Sequence, residues 1–195
     1  SRGLGDVYKR QDANVPEEIN RKVVDHLADF NLVYTEHARR HLISEGLNHR
    51  FIYVTGSPML EVLNSKKQEI EASDILNKLE LKQGKYFIVS VHREENVDNP
   101  KSLKKIVHCF NELYDKYGYP VVVSTHPRTK NRLDKLGLDA GSRDIRFLKP
   151  FGFFDYNKLQ KDSFCAISDS GTISEESAML DFPAVTIRQS IERPE

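Results

Sequence analysis

The chain has 195 residues, of which 29 are basic and 29 acidic, so its formal net charge is zero. That leaves no basic excess to hold a nucleic acid and no polybasic stretch for anionic lipid, which points to a small-molecule partner. No apolar run approaches the roughly 20 residues needed to cross a bilayer, and the start lacks the apolar core of a secretory signal, so a cytoplasmic location without a membrane partner is expected.

In chain order, residues 1–11 (SRGLGDVYKRQ) carry neither helical nor strand periodicity and are set aside as a candidate non-native segment. Residues 12–63 read as helix 16–29, a short strand near Leu32–Tyr34, helix 36–45 and a strand at 51–54. Two strands are too few to close a core, so this region is expected to be the C-terminal part of a domain begun upstream. The charged stretch from Asn64 to Gly84 is helical in pattern and poor in large apolar residues, and 64–84 is expected to connect two domains. From residue 85 onward the pattern changes. Short β-branched or aromatic runs at 86–91 (YFIVSV), 121–125 (VVVST), 145–148 (IRFL), 164–168 (FCAIS) and 184–187 (AVTI) alternate with amphipathic stretches near 101–117, 128–136, 155–161 and 172–180. Strands alternating with helices predict a parallel sheet with crossover helices, a doubly wound α/β domain over 85–195 whose ligands bind at the carboxyl ends of the strands. The chain stops at Glu195 just after a strand, where a covering helix is expected, so both domains are expected to be incomplete. Cys109 and Cys165 each lie in an apolar run and are expected to be buried free thiols.

The polar residues concentrate where such a domain binds ligands. SDSGTISEES (168–177) follows the strand FCAI and opens a helix. Thr172, Ile173, Ser174 and Glu175 fit a capping box, which would explain the segment as an ordinary helix start. A small Ser-Gly-Thr turn at a strand-to-helix junction also presents main-chain N–H groups at the positive end of a helix, which suits a diphosphate. Gly171 would allow close approach, and Glu176 could accept from ribose hydroxyls. SVHREEN (90–96) places His92, Arg93, Glu94 and Glu95 after the first strand of the domain, a position for which packing offers no reason. His126, in STHPR, holds the matching position after the next strand, and Arg193, in IERPE, follows the last; guanidinium geometry matches phosphate. VPEEINR (15–21) offers Glu17, Glu18 and Arg21 at a helix start, where helix capping alone would account for them. His37 and His41 are four residues apart, but Ala38 stands where a metalloprotease helix needs Glu and no third ligand is evident, so they read as a solvated helix face and no metal is expected.

Together, VPEEINR, the HREEN loop, the His-Pro loop, SDSG-x-x-x-EE and ERPE occur in an order and spacing that resembles the non-hydrolysing UDP-N-acetylglucosamine 2-epimerases from about Asp12 to Glu195. The wording of SDSGTISEES and RQSIERPE is most similar to the subgroup acting on UDP-2-acetamido-2,6-dideoxy-L-hexoses, which makes UDP-N-acetyl-L-fucosamine for capsule and O-antigen. The resemblance implies two Rossmann-like domains in a glycosyltransferase-B-like architecture, a homodimer, a UDP-sugar substrate and no metal or redox cofactor. It implies that Ser170, Gly171 and Thr172 form the diphosphate turn and that Glu176 is the ribose carboxylate. His92 and Arg193 become phosphate-side contacts, with Arg93 and His126 in the same crevice. Tyr156 falls beside the nucleoside and Phe151 at a further substrate contact. Thr172 stands where many members carry Gly, and Phe151 where some carry a polar residue. Glu17 and His92 would be catalytic, with Arg21 as the helix-borne neighbour of Glu17. The implied reaction eliminates UDP to a 2-acetamidoglycal and adds it back with inverted configuration at the second sugar carbon. The family's other catalytic acids precede VPEE, so this chain alone is expected not to turn over. A hydrolysing 2-epimerase, a glycosyltransferase of the same architecture and a non-catalytic UDP-sugar sensor stay open as alternatives.

Overall fold

The computed structural model describes residues 16–125, 127–137 and 143–187. The chain divides into two compact units between Val62 and Leu63. In the first, α1 (Pro16–Leu27) leads to β1 (Asn31–Val33), α2 (Glu36–Ser44), a 3-10 turn (His49–Phe51) and β2 (Ile52–Val54). Pro16 occupies the first helical position, where its missing N–H costs nothing. Thr35 caps α2, its hydroxyl accepting from the Ala38 N–H at 3.1 Å. β1 and β2 pair in parallel, and Val33, Ala38, Leu42 and Ile52 form a small core under them. α1 buries charge and exposes hydrocarbon. Arg21 and Asp25 are buried, while Ile19, Val23 and Leu27, one helical turn apart, are exposed.

α3 (Met59–Ser65) carries the chain across the division, followed by α4 (Lys67–Glu71) and α5 (Ile75–Lys78). The 64–84 stretch, expected to connect domains, packs as part of the second unit. Ile75 and Leu81 enter the same core cluster as Tyr86 and Ile88, and Ile70 is buried as well. A few well-spaced apolar residues suffice to dock short helices even when the stretch as a whole is charged.

The alternating pattern beyond residue 85 becomes β3 (Phe87–Ser90), α6 (Glu94–Val97), α7 (Pro100–Tyr117), β4 (Val121–Ser124), α8 (Pro127–Lys135), β5 (Ile145–Leu148), α9 (Phe153–Lys161), β6 (Cys165–Ser168), α10 (Ile173–Leu180) and β7 (Ala184–Thr186). The sheet is wholly parallel, in the order β5-β4-β3-β6-β7. Both faces are covered, as a parallel sheet requires. Phe87, Val89, Val121 and Val123 pack on Ile106 and Phe110 of α7, whereas Tyr86, Ile88, Val122 and Ala166 pack on Ile75, Leu159 and Ile173. The longest helix is well specified at both ends. Asn99 accepts from the N–H groups of Lys101 and Ser102, Pro100 follows, and Gly118 closes the helix at φ 65°, a left-handed conformation that favours glycine.

Two expectations need correction. Cys109 is exposed and Cys165 only half-buried, because Cys109 falls on the solvent face of α7, off the stripe formed by Leu103, Ile106, Val107 and Phe110. The HREEN segment, expected as a loop, winds into the short α6. No helix among the described residues is long and apolar enough to cross a membrane.

Candidate functional site

The strand order in the second unit reverses direction between β3 and β6, the first strand of the unit and the fourth. In an open α/β sheet the loops leaving the carboxyl ends of such a pair diverge and leave a crevice where ligands bind. Ser90, Ser124 and Ser168 end their strands in one register row, giving the crevice floor small polar side chains. SVHREEN leaves β3 on one side of it and SDSG leaves β6 on the other.

The two loops are tied together by Asp169, which is 0% exposed. Its carboxylate accepts the His92 N–H at 3.1 Å from each oxygen, the Arg93 N–H at 3.0 Å and the Asn96 Nδ2 at 3.0 Å. His92 Nδ1 lies 3.0 Å from Asp169 Oδ1, and Arg93 Nε donates to the Asp169 main-chain carbonyl at 2.9 Å. Burial works to raise the Asp169 pKa, but the donors from His92, Asn96 and Arg93 outweigh it and hold the group below the usual carboxylate range. The His92 side chain stays 56% exposed.

Across from this loop, Ser170, Gly171 and Thr172 are half-buried in the turn that enters α10. The Ser170 N–H donates to Ser168 Oγ at 3.0 Å, and the Thr172 N–H to Ser170 Oγ at 3.3 Å. The Ser170 and Thr172 hydroxyls are 2.9 Å apart. Neutral hydroxyls thus occupy N–H groups that a phosphate oxygen would engage more strongly. The capping box expected at Thr172 does not form: Thr172 has helical dihedrals, φ −89° and ψ −11°, and its side chain makes no capping bond. Its hydroxyl donates instead to Glu176 Oε1 at 2.7 Å, while Gln160 Nε2 donates to Glu176 Oε2 at 2.8 Å. Both Glu176 oxygens are thereby fixed, and each retains a lone pair that could accept from vicinal hydroxyls. Tyr156 of α9 is half-buried beside these strand ends. Burial pushes its phenol up to about 12, with the Glu176 and Asp169 charges adding to the shift and hydrogen bonds with Ser90 and Ser168 opposing it. Phe151 packs against the core cluster around Tyr86 and Leu159, half-buried.

In the first unit, Glu17 lies in the opening turn of α1. Arg21 is 1% exposed, and its guanidinium bonds Asp25 at 2.6 Å and Glu45 at 2.6 Å, with a further 3.3 Å bond to Glu45. The residue expected to face substrate is thus held by carboxylates of its own unit. His126 and Arg193 lie outside the described residues. The structure brings His92, Arg93, Tyr156, Ser170, Gly171, Thr172 and Glu176 to the ends of β3 and β6. It also adds Asp169, Asn96 and Gln160, which the sequence reading did not single out. For Asp169 a signal existed, since an acid directly after an apolar strand has no packing role there. For Gln160 there was none: it is a polar residue in a helix whose burial only the tertiary contacts decide.

A doubly wound parallel sheet with polar loops at its switch point defines this unit as a Rossmann-like ligand-binding domain. Residues 9–195 match the family model described as UDP-N-acetylglucosamine 2-epimerase, and the chain belongs to that family. The match begins within the segment 1–11 that was set aside. The Methanocaldococcus jannaschii UDP-N-acetylglucosamine 2-epimerase is 33% identical over 193 residues, covering 94% of this chain and 52% of that protein. Among solved structures, the UDP-N-acetylglucosamine 2-epimerase from Rickettsia bellii is 44% identical with a TM-score of 0.85, covering 99% of this chain and 50% of that one. The M. jannaschii enzyme solved in complex with UDP-GlcNAc and UDP is 31% identical with a TM-score of 0.83, covering 99% and 54%. The chain spans about half the length of the relatives it matches.

Proposed function

We propose that the full-length protein is an isomerase that interconverts UDP-2-acetamido sugars epimeric at the second sugar carbon, without net hydrolysis. The observation that carries this reading is the pairing of the HREEN and SDSG segments across the switch point of the sheet, within a chain of the 2-epimerase family. The relative solved with UDP-GlcNAc and UDP supports a UDP-sugar as the ligand class. The wording of the SDSGTISEES and RQSIERPE motifs favours a 2,6-dideoxy-L-hexose substrate for capsule or O-antigen synthesis. We assign the protein to the cytoplasm as a homodimer.

In this reading Ser170, Gly171 and Thr172 take the diphosphate, with Arg93 and Arg193 as its cationic neighbours and His92 and His126 as imidazole contacts. Glu176 receives the ribose hydroxyls, and Tyr156 and Phe151 line the nucleoside side. A base removes the proton from the second sugar carbon. The freed electron pair forms a double bond to the first carbon, and the bond from that carbon to oxygen breaks with its electrons passing to the diphosphate. Re-addition of UDP with a proton delivered to the opposite face completes the inversion. Glu17 serves one of the two proton transfers, and the cations stabilise the departing diphosphate. Arg21, held by Asp25 and Glu45, supports the helix that carries Glu17.

The test is exchange of solvent deuterium into the second sugar carbon by the full-length protein, alongside UDP affinity. Glu17→Gln keeps the side chain's size but cannot exchange a proton, so turnover should fall roughly 100-fold or more while UDP binding holds. Normal exchange in that variant would remove Glu17 from the chemistry. Accumulation of free UDP together with the free epimerised sugar, in place of a UDP-linked epimer, would replace the reading with a hydrolytic one.

A further inference from the structure

Asp169 belongs to the turn that is proposed to take the diphosphate, yet its carboxylate is not directed to a ligand. It is fully buried and spends its acceptor capacity on the opposite loop: two main-chain N–H groups, one amide and the His92 ring. An ionised carboxylate can only accept, so every group pointed at it must bring a hydrogen. For the amide and the main-chain groups this is automatic. For His92 it is a choice, because a neutral imidazole carries one proton and can place it on either nitrogen. With Nδ1 at 3.0 Å from Oδ1, that proton must sit on Nδ1. Asn96 strengthens the arrangement by bridging Asp169 and the Ile187 carbonyl, which anchors the carboxylate's other oxygen.

We propose that Asp169 is the positioning residue for His92, fixing its ring proton on Nδ1 so that Nε2 is the nitrogen that works at the departing diphosphate. The inference rests on the reading that His92 meets the diphosphate. In that setting the neutral ring presents an acceptor at Nε2 and the imidazolium presents a donor there, so one nitrogen can take up and return a proton as UDP leaves and re-adds. The buried carboxylate opposite stabilises the charged form, as an orienting acid does for a catalytic histidine. Among the described residues, charged and titratable groups near this pair include Arg93 on the same loop, Tyr156 of α9 and Glu176 of α10. A plain loop staple would use the main-chain bonds equally well but would have no need of the Nδ1 contact.

Two measurements on the full-length protein separate these roles. Ring 15N chemical shifts of His92 in the wild-type protein should show the Nδ1–H tautomer in the neutral form. The Nε2–H tautomer, which free histidine prefers, would overturn the proposal without any variant. In Asp169→Asn, removal of the charge should move the His92-dependent limb of the pH profile of kcat to lower pH by about one unit or more. A fall in kcat with an unmoved profile would make Asp169 a staple and overturn the proposal alone. His92→Ala with wild-type turnover and UDP affinity would overturn the reading beneath it, and the proposal with it.

Discussion

Gln160, 1% exposed, donates through Nε2 to Glu176 Oε2 at 2.8 Å, so a helix with no residue at the turn itself sets the angle of the carboxylate at the entrance of α10. Its own carbonyl Oε1 is buried with no hydrogen-bond partner. A side chain that leaves one polar atom unsatisfied contributes less to folding than its burial suggests, because the orphan acceptor offsets much of what the amide bond gains. Gln160→Met keeps the volume and removes both polar atoms. We expect a stability change of less than about 1 kcal/mol, but a roughly fivefold loss of UDP affinity from a freed Glu176. Denaturant titration and calorimetry on the full-length protein check the two halves. Unchanged affinity would detach Glu176 from nucleotide binding, or Gln160 from Glu176.

Tyr86 donates its buried hydroxyl to the Leu159 carbonyl at 2.7 Å, linking the start of β3 to α9. Tyr86→Phe leaves that carbonyl unsatisfied and should cost about 1–3 kcal/mol, read from the denaturation midpoint. The pH dependence follows from burial, reinforced by the Asp162 charge, which raises the Tyr86 phenol well above its usual value of 10.0. A raised folded value favours the protonated form in the folded state. The contribution is therefore whole below about pH 10 and is lost as the pH climbs beyond it, while the unfolded chain ionises first. The phenylalanine variant should lose stability less steeply than wild type above that point; equally steep loss would assign the alkaline limb to other groups.

Arg21 is a buried cation whose described partners are Asp25, 4% exposed, and Glu45, 22% exposed. Asp25→Ala should destabilise the first unit by about 3 kcal/mol, the low end of the range for breaking a buried pair, because Glu45 still faces the guanidinium. Replacing the pair together, as Arg21→Met with Asp25→Leu, should cost less than Asp25→Ala alone, since the one carboxylate then left without its partner, Glu45, is 22% exposed and keeps water. A double variant less stable than the single would show that the ion pair itself, and not the avoidance of an orphaned charge, holds α1 in place.

For Arg193 we expect Arg193→Ala to weaken UDP binding by about 1.5–3 kcal/mol, the size of a charge-assisted contact to phosphate. Calorimetry on the full-length protein measures it, and unchanged affinity would remove Arg193 from the phosphate side.

How much of this was legible in the sequence differs by element. The runs FIVS, VVVS and CAIS are short, continuous and β-branched, and amphipathic stretches of helical length separate them. Local pattern alone therefore placed every strand of the larger sheet and made it parallel, because only crossover helices can join strands that all run one way. The polar loops at the strand ends were visible for the same reason. Hydrogen-bond partners were not. Thr172 carried the local signature of a cap, yet its hydroxyl serves Glu176, since that carboxylate lies within reach one turn along the helix and capping would require Thr172 to leave its helical dihedrals. Arg21 stood at a helix start like a residue open to ligand; Asp25, one turn further along the same helix, is a local partner, but Glu45 meets it only through tertiary packing. Sequence periodicity determined the apolar core of the larger sheet and which strand ends carry chemistry, because both follow from the repeat of the backbone, whereas the burial of Arg21 and Gln160 and the exposure of Cys109 did not follow from it. Which acceptor each buried donor meets was decided only in the tertiary structure, because Asp169 and His92 are separated by 77 positions in the chain and become neighbours solely through the pairing of β3 with β6.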